Sequence, residues 1–466
     1  MLYQVCVFII LSELLLCPVV HAGYNAREVL EAVITASDVS AEDEALWRHY
    51  VEQPQPSVDE VRAMIAAAAK EFSVPSSILE TVGYLESNWI QIGPTIDRGW
   101  GVMHLVENDR VDTLGEAAGL LNCERQVLKD DPQANIRGAA ALLASFAGEK
   151  RAGFSRLEDW FDAVKKLSGL YEEEFQEMQS GQYFRILKKG VSEINLFNQE
   201  VRVCAQKSID MELIESKMPK YKSWKAEAAR SRADYPGAIS DITSCNYTGG
   251  RNHNIDTWVN HWMGMGTYAG AISWFHNPSA SASTQFCIRH DDGEITQVVR
   301  VADTSWNCGS PTGLANNSRS ISVEHEATVA HPEWWNSQAM IQASGRMIRF
   351  FADQYGIPVQ RGCPGITEHK AMQGCSTDCA GNIPWPDLWA VITGSNPGPV
   401  PNGNQTGHIS VDTAANVRSG PGTEFPVIAS LNNGVQVQIL GKEDTWYKVI
   451  IPDGRTGYVH ESLVAL

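Results

Sequence analysis

Two histidines and a cysteine in the second half of this 466-residue chain have types and spacing that suit metal binding. His261 falls in a run, residues 255–262, whose pattern predicts a strand. His369 follows much later, and Cys379 comes ten positions after it. Two imidazoles and a thiolate from separate elements, with a fourth position for water, hold a catalytic zinc ion. The chain has 12 histidines and 10 cysteines, so their number alone does not select the ligands.

The overall composition is that of a globular protein with several domains. The chain is 43% hydrophobic and 20% charged, and its length predicts about two to four domains. The formal net charge of −18 argues against a nucleic-acid-binding protein, which would show a basic stripe. The sequence also has no polybasic patch for a membrane surface.

Residues 1–22 have the pattern of a secretory signal peptide. An apolar run at residues 5–16 is followed by Val20, His21 and Ala22, a small-residue cleavage pattern. No Lys or Arg precedes the apolar run, and a buried hydrophobic helix is the alternative interpretation. We therefore expect a secreted protein. After removal of the leader, no other segment is apolar enough to span a membrane.

Export would permit disulfide bonds among the eight cysteines that remain once Cys6 and Cys17 are removed from the ten. Two pairs are candidates by position. Cys287 and Cys308 lie in adjacent predicted strands, and Cys363 and Cys375 lie on either side of His369. Connectivity does not follow from a sequence, so both pairings stay open.

Residues 57–200 form the first predicted folded region, and their pattern is helix and loop throughout. Ser57 is a candidate N-cap, with acidic residues in the turn that follows it. The remaining predicted elements are helices at residues 78–89, at 135–143 and from Trp160, with a glycine-rich turn at 99–105.

Glu86 is the residue of this region that could do chemistry. A single glutamate on a helix is usually solvated, but Glu86 is flanked by Leu85 and Trp89. Partial burial would raise its pKa toward the working range of a general acid.

The motifs around Glu86 resemble those of lytic transglycosylases and goose-type lysozymes. The pattern is a Glu-Ser pair, a Gly-x-Gly-x-Met turn, an Asn-Ile-x-x-Gly-Ala helix, a Trp-x-x-Ala-Val helix and the closing Tyr183. The resemblance implies a helical lysozyme-like domain in which Glu86 protonates the glycosidic oxygen. His104 is a departure, because the family usually has Gln there.

Residues 201–243 are charged and lack catalytic motifs, and we interpret them as a helical connector. From residue 244 to 393 the pattern changes to strands mixed with helices. The turn at residues 291–293 predicts a hairpin, and the helical spacing around residues 340–351 predicts a long amphipathic helix. The expected fold of this region is an α/β mixed sheet with helices packed on it.

The order of motifs in this region resembles the type-2 zinc N-acetylmuramoyl-L-alanine amidases. The matching motifs are the strand with His261, the Asp-Gly hairpin, residues 316–324, and His369 with Cys379. The resemblance implies that His261, His369 and Cys379 bind Zn²⁺, and the rival His253 and His276 lack the strand context.

The same resemblance implies roles for two further residues. Glu324 would be the general base, with a surface acid beside His325 and Glu326 as the alternative interpretation, and Thr377 would stabilise the oxyanion. Three residues depart from the pattern of many relatives, and they affect the expected substrate orientation rather than the zinc: Thr284, Gln285 and Asn307.

The C-terminal part of the chain begins with a polar, glycine- and proline-rich linker at residues 394–407. Short predicted strands follow, and the Asn-Val-Arg-Ser-Gly-Pro-Gly run at 416–422 resembles bacterial SH3-like domains. The resemblance implies a small all-β barrel at residues 408–466 that holds a hydrolase on the cell wall.

Together these resemblances predict an exported peptidoglycan hydrolase, periplasmic or extracellular and associated with the cell wall. Its main activity would be zinc-dependent cleavage of the amide between N-acetylmuramic acid and L-alanine, with a second, glycan-cleaving activity at Glu86. The expected partners are the glycan strands and stem peptides of peptidoglycan. One alternative is a lytic transglycosylase with a secondary amidase domain. Another is a non-catalytic peptidoglycan sensor that keeps zinc for structure.

Overall fold

The structure, a computed structural model, describes six stretches of the chain up to residue 394 and parts of the C-terminal region. These residues are 53–228, 230–264, 266–308, 315–328, 330–372, 379–394, 406–411, 414–418, 427–443, 446–451 and 456–465. The predicted leader, most of the predicted linker, Cys375 and Thr377 lie outside the described residues. Among the described residues, no helix is both long and apolar enough to cross a membrane.

The first region is mainly helical. Its helices are α1 (Val58–Phe72), α2 (Ser76–Ser87), α3 (Thr113–Leu121), α4 (Arg125–Asp130), α5 (Pro132–Ala147), α6 (Phe161–Leu167), α7 (Glu173–Lys189), α8 (Met211–Ser216) and α9 (Pro219–Ala228). Helix α1 begins with the predicted cap, because Ser57 and Glu60 form a reciprocal capping box.

Two short hairpins interrupt the helices, so the prediction of helix and loop alone was wrong. They are β1 (Gly99–Trp100) with β2 (Leu105–Val106), and β3 (Val191–Ile194) with β4 (Glu200–Val203). The predicted domain boundary at residue 200 falls inside the second hairpin. Beyond it, Ile214 of α8 and the nearby Met218 are buried in the same core as the earlier helices, so this part of the predicted connector is packed.

Asn135 on α5 fixes the glycine-rich turn that leads to His104. Its amide donates to the Trp100 carbonyl over 2.9 Å, and its side-chain oxygen accepts from the Met103 N–H over 2.8 Å. Gly101 has φ +76°, and a Cβ there would lie 2.3 Å from the Asn135 amide nitrogen. Only glycine suits both constraints.

The second region is built on a six-stranded mixed sheet, as predicted. Its strand order is β12-β7-β11-β8-β9-β5. The strands are β5 (Ile239–Ser240), β7 (Thr257–Gly264), β8 (Phe286–Ile288), β9 (Ile295–Gln297), β11 (Ser320–Thr328) and β12 (Gly365–Glu368), and a separate pair is β6 (Tyr247–Thr248) with β10 (Thr304–Ser305). The helices are α10 (Tyr268–Phe275), α11 (Ala315–Arg319), α12 (Gln338–Tyr355) and α13 (Trp385–Thr393).

The central strands β7 and β11 are parallel and buried along almost their whole length. Burial on both faces is typical of parallel strands covered by helices. The antiparallel pair β8–β9 matches the predicted hairpin. Cys287 on β8 is a free thiol, so the candidate bridge from Cys287 to Cys308 was wrong.

The helical and sheet regions share one continuous hydrophobic core. Buried residues of α2 and of β11 belong to the same cluster. A second cluster joins Phe175 and Met178 of α7 to Tyr268 and Ile272 of α10. The two regions therefore form one packed body.

The C-terminal region is a small all-β unit with its own core. Its seven strands are β13 (Thr406–Ile409), β14 (Ala414–Arg418), β15 (Val427–Asn432), β16 (Gln436–Glu443), β17 (Trp446–Ile450), β18 (Thr456–His460) and β19 (Val464–Ala465). Their order in the sheet is β15-β14-β18-β17-β16-β13-β19. This architecture agrees with the predicted barrel class.

Candidate active site

Strand pairing places His261 and Glu324 side by side. In the parallel register of β7 and β11, Glu324 lies directly opposite His261. His261 Nδ1 is 3.9 Å from Glu324 Oε1, and the Glu324 side chain is 16% exposed. Glu324 therefore lies in the middle of its strand rather than at its end, and the alternative of a surface acid was wrong.

His369 and Cys379 reach the same place from the other side of β7. His369 directly follows β12, which pairs with β7. A hydrogen bond of 2.7 Å from the Lys370 N–H to the Cys379 carbonyl holds the residue after His369 next to Cys379. The ring centroids of His261 and His369 are 4.6 Å apart, and His261 Nδ1 is 3.5 Å from Cys379 Sγ.

The donor atoms of His261, His369 and Cys379 all lie within 4.8 Å of one another, and all three residues are buried. Burial, assisted by the nearby His369, lowers the pKa of His261 well below its ordinary value. A neutral imidazole is the form that binds metal. Two imidazoles and a cysteine sulfur are a donor set that suits Zn²⁺.

Glu324 is the acid next to this cluster. Burial raises its pKa well above the ordinary value for a glutamate. Its Oε2 atom is buried, and no described residue donates a hydrogen bond to it. An oxygen in this state can accept a proton or a hydrogen bond from a small molecule at the cluster.

Two of the three departures from the family pattern are buried within the sheet. The Thr284 hydroxyl is 2.9 Å from the Ser322 hydroxyl. Gln285 Oε1 accepts hydrogen bonds from Ser305 and Ser322. Asn307 donates to the Ser305 hydroxyl over 2.7 Å and also lies beside the His261 ring. These side chains brace β8 and β11, and Asn307 alone approaches the metal-binding residues.

The rival histidines are placed elsewhere. His276 pairs with Asp241, with Nε2 3.0 Å from Oδ2, and this hydrogen bond raises its pKa although burial alone would lower it. His253 is exposed, and its backbone N–H donates to Ser318. Thr377 lies outside the described residues.

Glu86 on α2 lies at a second buried polar cluster, in the helical region. Its Oε1 accepts hydrogen bonds from the Tyr183 hydroxyl and from Gln179, the latter over 2.7 Å. Its Oε2 faces His104 Nδ1 at 3.5 Å, and His104 Nε2 is 3.0 Å from Asp97 Oδ1. The Glu86 side chain is only 4% exposed.

The charges of this cluster depend on one another. Burial raises the pKa of Glu86. Burial alone would lower the pKa of His104, but the carboxylates of Asp97 and Glu86 raise it to about 9. Gln179 and Asp97 were not predicted. Gln179 stands four residues before Tyr183, on the same face of α7, and that spacing was the available signal.

The amidase-like region lies against the Glu86 cluster. A Cβ on Gly270 of α10 would be 3.8 Å from Asp97 Oδ2. Asn277 and Ser279 both donate to the Asp109 carboxylate, over 2.9 and 2.7 Å. These contacts pack α10 and the segment after it against the residues that carry Asp97 and Asp109.

The mixed sheet carries a three-donor cluster of two histidines and a cysteine, and comparison with known proteins identifies the domain to which this region belongs. Residues 251–382 match the N-acetylmuramoyl-L-alanine amidase family, and residues 413–465 match the bacterial SH3 domain family. Both kinds of domain are therefore present in this chain. The helical region has no such confirmation of its predicted lysozyme-like class.

One protein to which this chain is similar is N-acetylmuramoyl-L-alanine amidase A of Achromobacter lyticus. It is 36% identical to this chain over 125 residues, which are 27% of this chain and 66% of the relative. Similar solved structures include a selenomethionine derivative of AmpD, with 21% identity, 35% of this chain, 99% of that chain and a TM-score of 0.27. Another is the Staphylococcus aureus hydrolase AmiA in complex with its ligand, with 20% identity, 37% of this chain, 87% of that chain and a TM-score of 0.28.

Proposed function

We propose that this protein is an exported, zinc-dependent N-acetylmuramoyl-L-alanine amidase that cleaves peptidoglycan between N-acetylmuramic acid and L-alanine. The observation that carries the proposal is the convergence of His261, His369 and Cys379 beside Glu324 in a domain that matches the amidase family. The C-terminal SH3 domain supports it, because a wall-binding module would hold the enzyme on its polymer.

In this proposal His261, His369 and Cys379 hold Zn²⁺. When bound, zinc would polarise the amide carbonyl and lower the pKa of water. Glu324 has an oxygen without a described hydrogen-bond donor, and we assign it the general base. Its raised pKa lets it keep the proton that it takes from water and pass it to the leaving amine. Thr377 is our candidate for the oxyanion contact.

Digestion of purified peptidoglycan tests the proposal. We expect free stem peptides from the wild-type protein, and none after treatment with a chelator. In Cys379→Ser, zinc content should fall and peptide release should drop on the order of a hundredfold or more, because loss of even an outer-shell partner costs 10–100-fold. Cys204→Ser is the control, since Cys204 is exposed. If the folded, zinc-loaded protein released no stem peptide, the amidase proposal would be wrong and the remaining interpretation would be a non-catalytic peptidoglycan sensor.

Glycan cleavage at Glu86 is the second candidate function, and the Glu86–Tyr183 contact favours it. A buried carboxyl with a raised pKa is suited to protonate a glycosidic oxygen. Its 4% exposure means that neighbouring side chains would have to move before a glycan could reach it. Anhydro-sugar products that disappear in Glu86→Gln, while stem peptides continue to be released, would support this function. Wild-type protein that makes no such products would exclude it.

A further inference from the structure

A buried histidine joins the helical region to the end of the Glu324 strand. His331 comes three residues after β11 ends at Thr328, and its side chain is 1% exposed. Its ring lies between Glu193 of β3 and Glu333 of its own segment. We call these three residues the His331 junction. None of them belongs to the candidate zinc cluster or to the Glu86 cluster.

Both nitrogens of the His331 ring face hydrogen-bond acceptors. Nε2 is 2.9 Å from the Tyr84 carbonyl oxygen, to which it donates. Nδ1 is 3.1 Å from Glu193 Oε2 and 3.3 Å from Glu333 Oε1. Because a neutral imidazole has only one N–H, this geometry favours the imidazolium. Burial alone would lower the pKa of His331, but hydrogen bonds to Glu193 and Glu333 raise it to about 10.

The partners of the junction lie on α2, the helix that carries Glu86. Tyr84, whose carbonyl accepts from His331, stands two residues before Glu86. Asn88 stands two residues after Glu86, and its amide donates to the Ala330 carbonyl over 3.0 Å. The segment after β11 is therefore fastened to both flanks of Glu86, and through Glu193 to the β3–β4 hairpin as well.

Stacked aromatic rings connect the His331 junction to β11. Trp334 lies between two imidazoles, with its centroid 4.0 Å from that of His331 and 3.7 Å from that of His290. His290 Nδ1 is 2.7 Å from Glu326 Oε2. Glu326 is fully buried on β11, two residues beyond Glu324.

We propose that His331 is a positioning residue for the amide-cleaving site, whose charged ring fixes the Glu324 strand against the helical region. The inference rests on the proposed amidase function. Under this proposal the helical region contributes to amide cleavage by positioning the Glu324 strand, whether or not that region also cleaves glycan. A carboxylate of the helical region, Glu193, then influences a reaction in the neighbouring domain.

Glu193→Gln in the full-length protein is the test, because it removes one charge from the junction and keeps the shape of the side chain. With a soluble muramyl-peptide as substrate, we expect kcat to fall roughly tenfold, since small displacements of a catalytic group are costly. KM should stay within about twofold, because Glu193 lies outside the substrate site. Zinc content should be unchanged, and Glu193→Asp, which keeps the charge, should recover part of the lost rate.

Glu200→Gln is the matched control, an exposed glutamate on β4 of the same hairpin. It should leave kcat at the wild-type value. A wild-type kcat in both Glu193→Gln and His331→Asn would overturn the proposal. So would a second zinc equivalent in the wild-type protein that Glu193→Gln loses, because His331 would then be a metal ligand. Failure of the amidase function itself is distinct, since the wild-type protein would then release no peptide.

Discussion

Glu86 on a helix of the helical region and Glu324 on a strand of the amidase region both have largely buried carboxylates. The two residues differ in the hydrogen bonds that their carboxylate oxygens accept. Glu86 has two hydrogen-bond donors on one oxygen and His104 facing the other. Glu324 has one oxygen near His261 and another without a donor among the described residues. A carboxylate whose oxygens already accept hydrogen bonds is stable, but it must lose some of these bonds before it can react. A carboxylate with an oxygen that accepts none can bind water or substrate directly. This difference is one reason why we propose the Glu324 site for the main reaction.

The histidines of the two sites differ in the same sense. His104 lies between two carboxylates that raise its pKa to about 9, so it is charged at neutral pH. His261 has the opposite shift, because it is buried beside another imidazole. A cation paired with acids stabilises the fold, whereas neutral imidazoles suit a metal ion. The helical cluster is built around a charged histidine between two carboxylates, and the amidase cluster around two adjacent imidazoles beside a cysteine.

The largest expected effect comes from Glu324→Gln, which removes the acid of the amidase site and keeps its volume. Release of stem peptides should fall on the order of 10²–10⁴-fold, the range for loss of a general base. Zinc content should stay at the wild-type level, because Glu324 is not one of the three ligands. Both quantities are measured on the same preparation.

The control for this variant is Glu227→Gln, which changes an exposed glutamate of α9. It should release stem peptides at the wild-type rate. A folded, zinc-loaded Glu324→Gln protein with wild-type activity would show that the contrast between the two carboxylates has no catalytic meaning.

His104→Gln tests the charged histidine of the helical cluster, and its effect depends on pH. The folded-state pKa of His104, about 9, exceeds the ordinary value of 6.5. Its contribution to stability is therefore fully present below pH 6.5 and is lost as the pH rises through 9. At pH 6 the variant should be less stable than the wild type by up to about 3 kcal/mol, and this difference should shrink near pH 9.5.

Urea unfolding at the two pH values measures this difference. His331 titrates in the same direction in both proteins, so it cancels when the variant is compared with the wild type. His253→Gln, at an exposed position, should show no such pH-dependent difference. A His104→Gln destabilisation that is equal at pH 6 and pH 9.5 would mean that His104 acts by packing rather than by charge.

The cluster that the order of motifs implied was predictable from the sequence, and the other contacts between distant elements were not. The strand with His261 and the pairing of His369 with Cys379 carried enough pattern to predict one cluster, which the structure brings together. That Glu324 lies directly opposite His261 did not follow from the sequence, because strand pairing depends on neighbours that the sequence does not show. The parallel register of β7 and β11 is such a neighbour effect.

The helical cluster shows the same limit more strongly. Tyr183 and Glu86 were both singled out, but their contact requires α7 to pack against α2, which also brings Gln179 to Glu86. Asp97 joins the cluster through His104. The His331 junction joins residues 138 positions apart, from regions that the sequence separates into two domains. No local pattern predicts that these domains share a core. The packing of the two regions therefore determines contacts that the sequence motifs did not predict.

The smallest expected effect is that of Thr284→Ala, which tests whether Thr284 stabilises the sheet or contacts the substrate. In the structure Thr284 is 1% exposed, and its hydroxyl pairs with Ser322 on the Glu324 strand. Thr284→Ala should lower the free energy of unfolding by about 1 kcal/mol, the usual worth of one buried hydrogen bond. Peptide release should stay near the wild-type rate, because pairing with β7 and β8 still holds Glu324. Denaturant unfolding and peptidoglycan digestion measure the two quantities, with Thr393→Ala on the surface as control. A large loss of activity at unchanged stability would instead place Thr284 among the substrate contacts, as its departure from the family pattern first indicated.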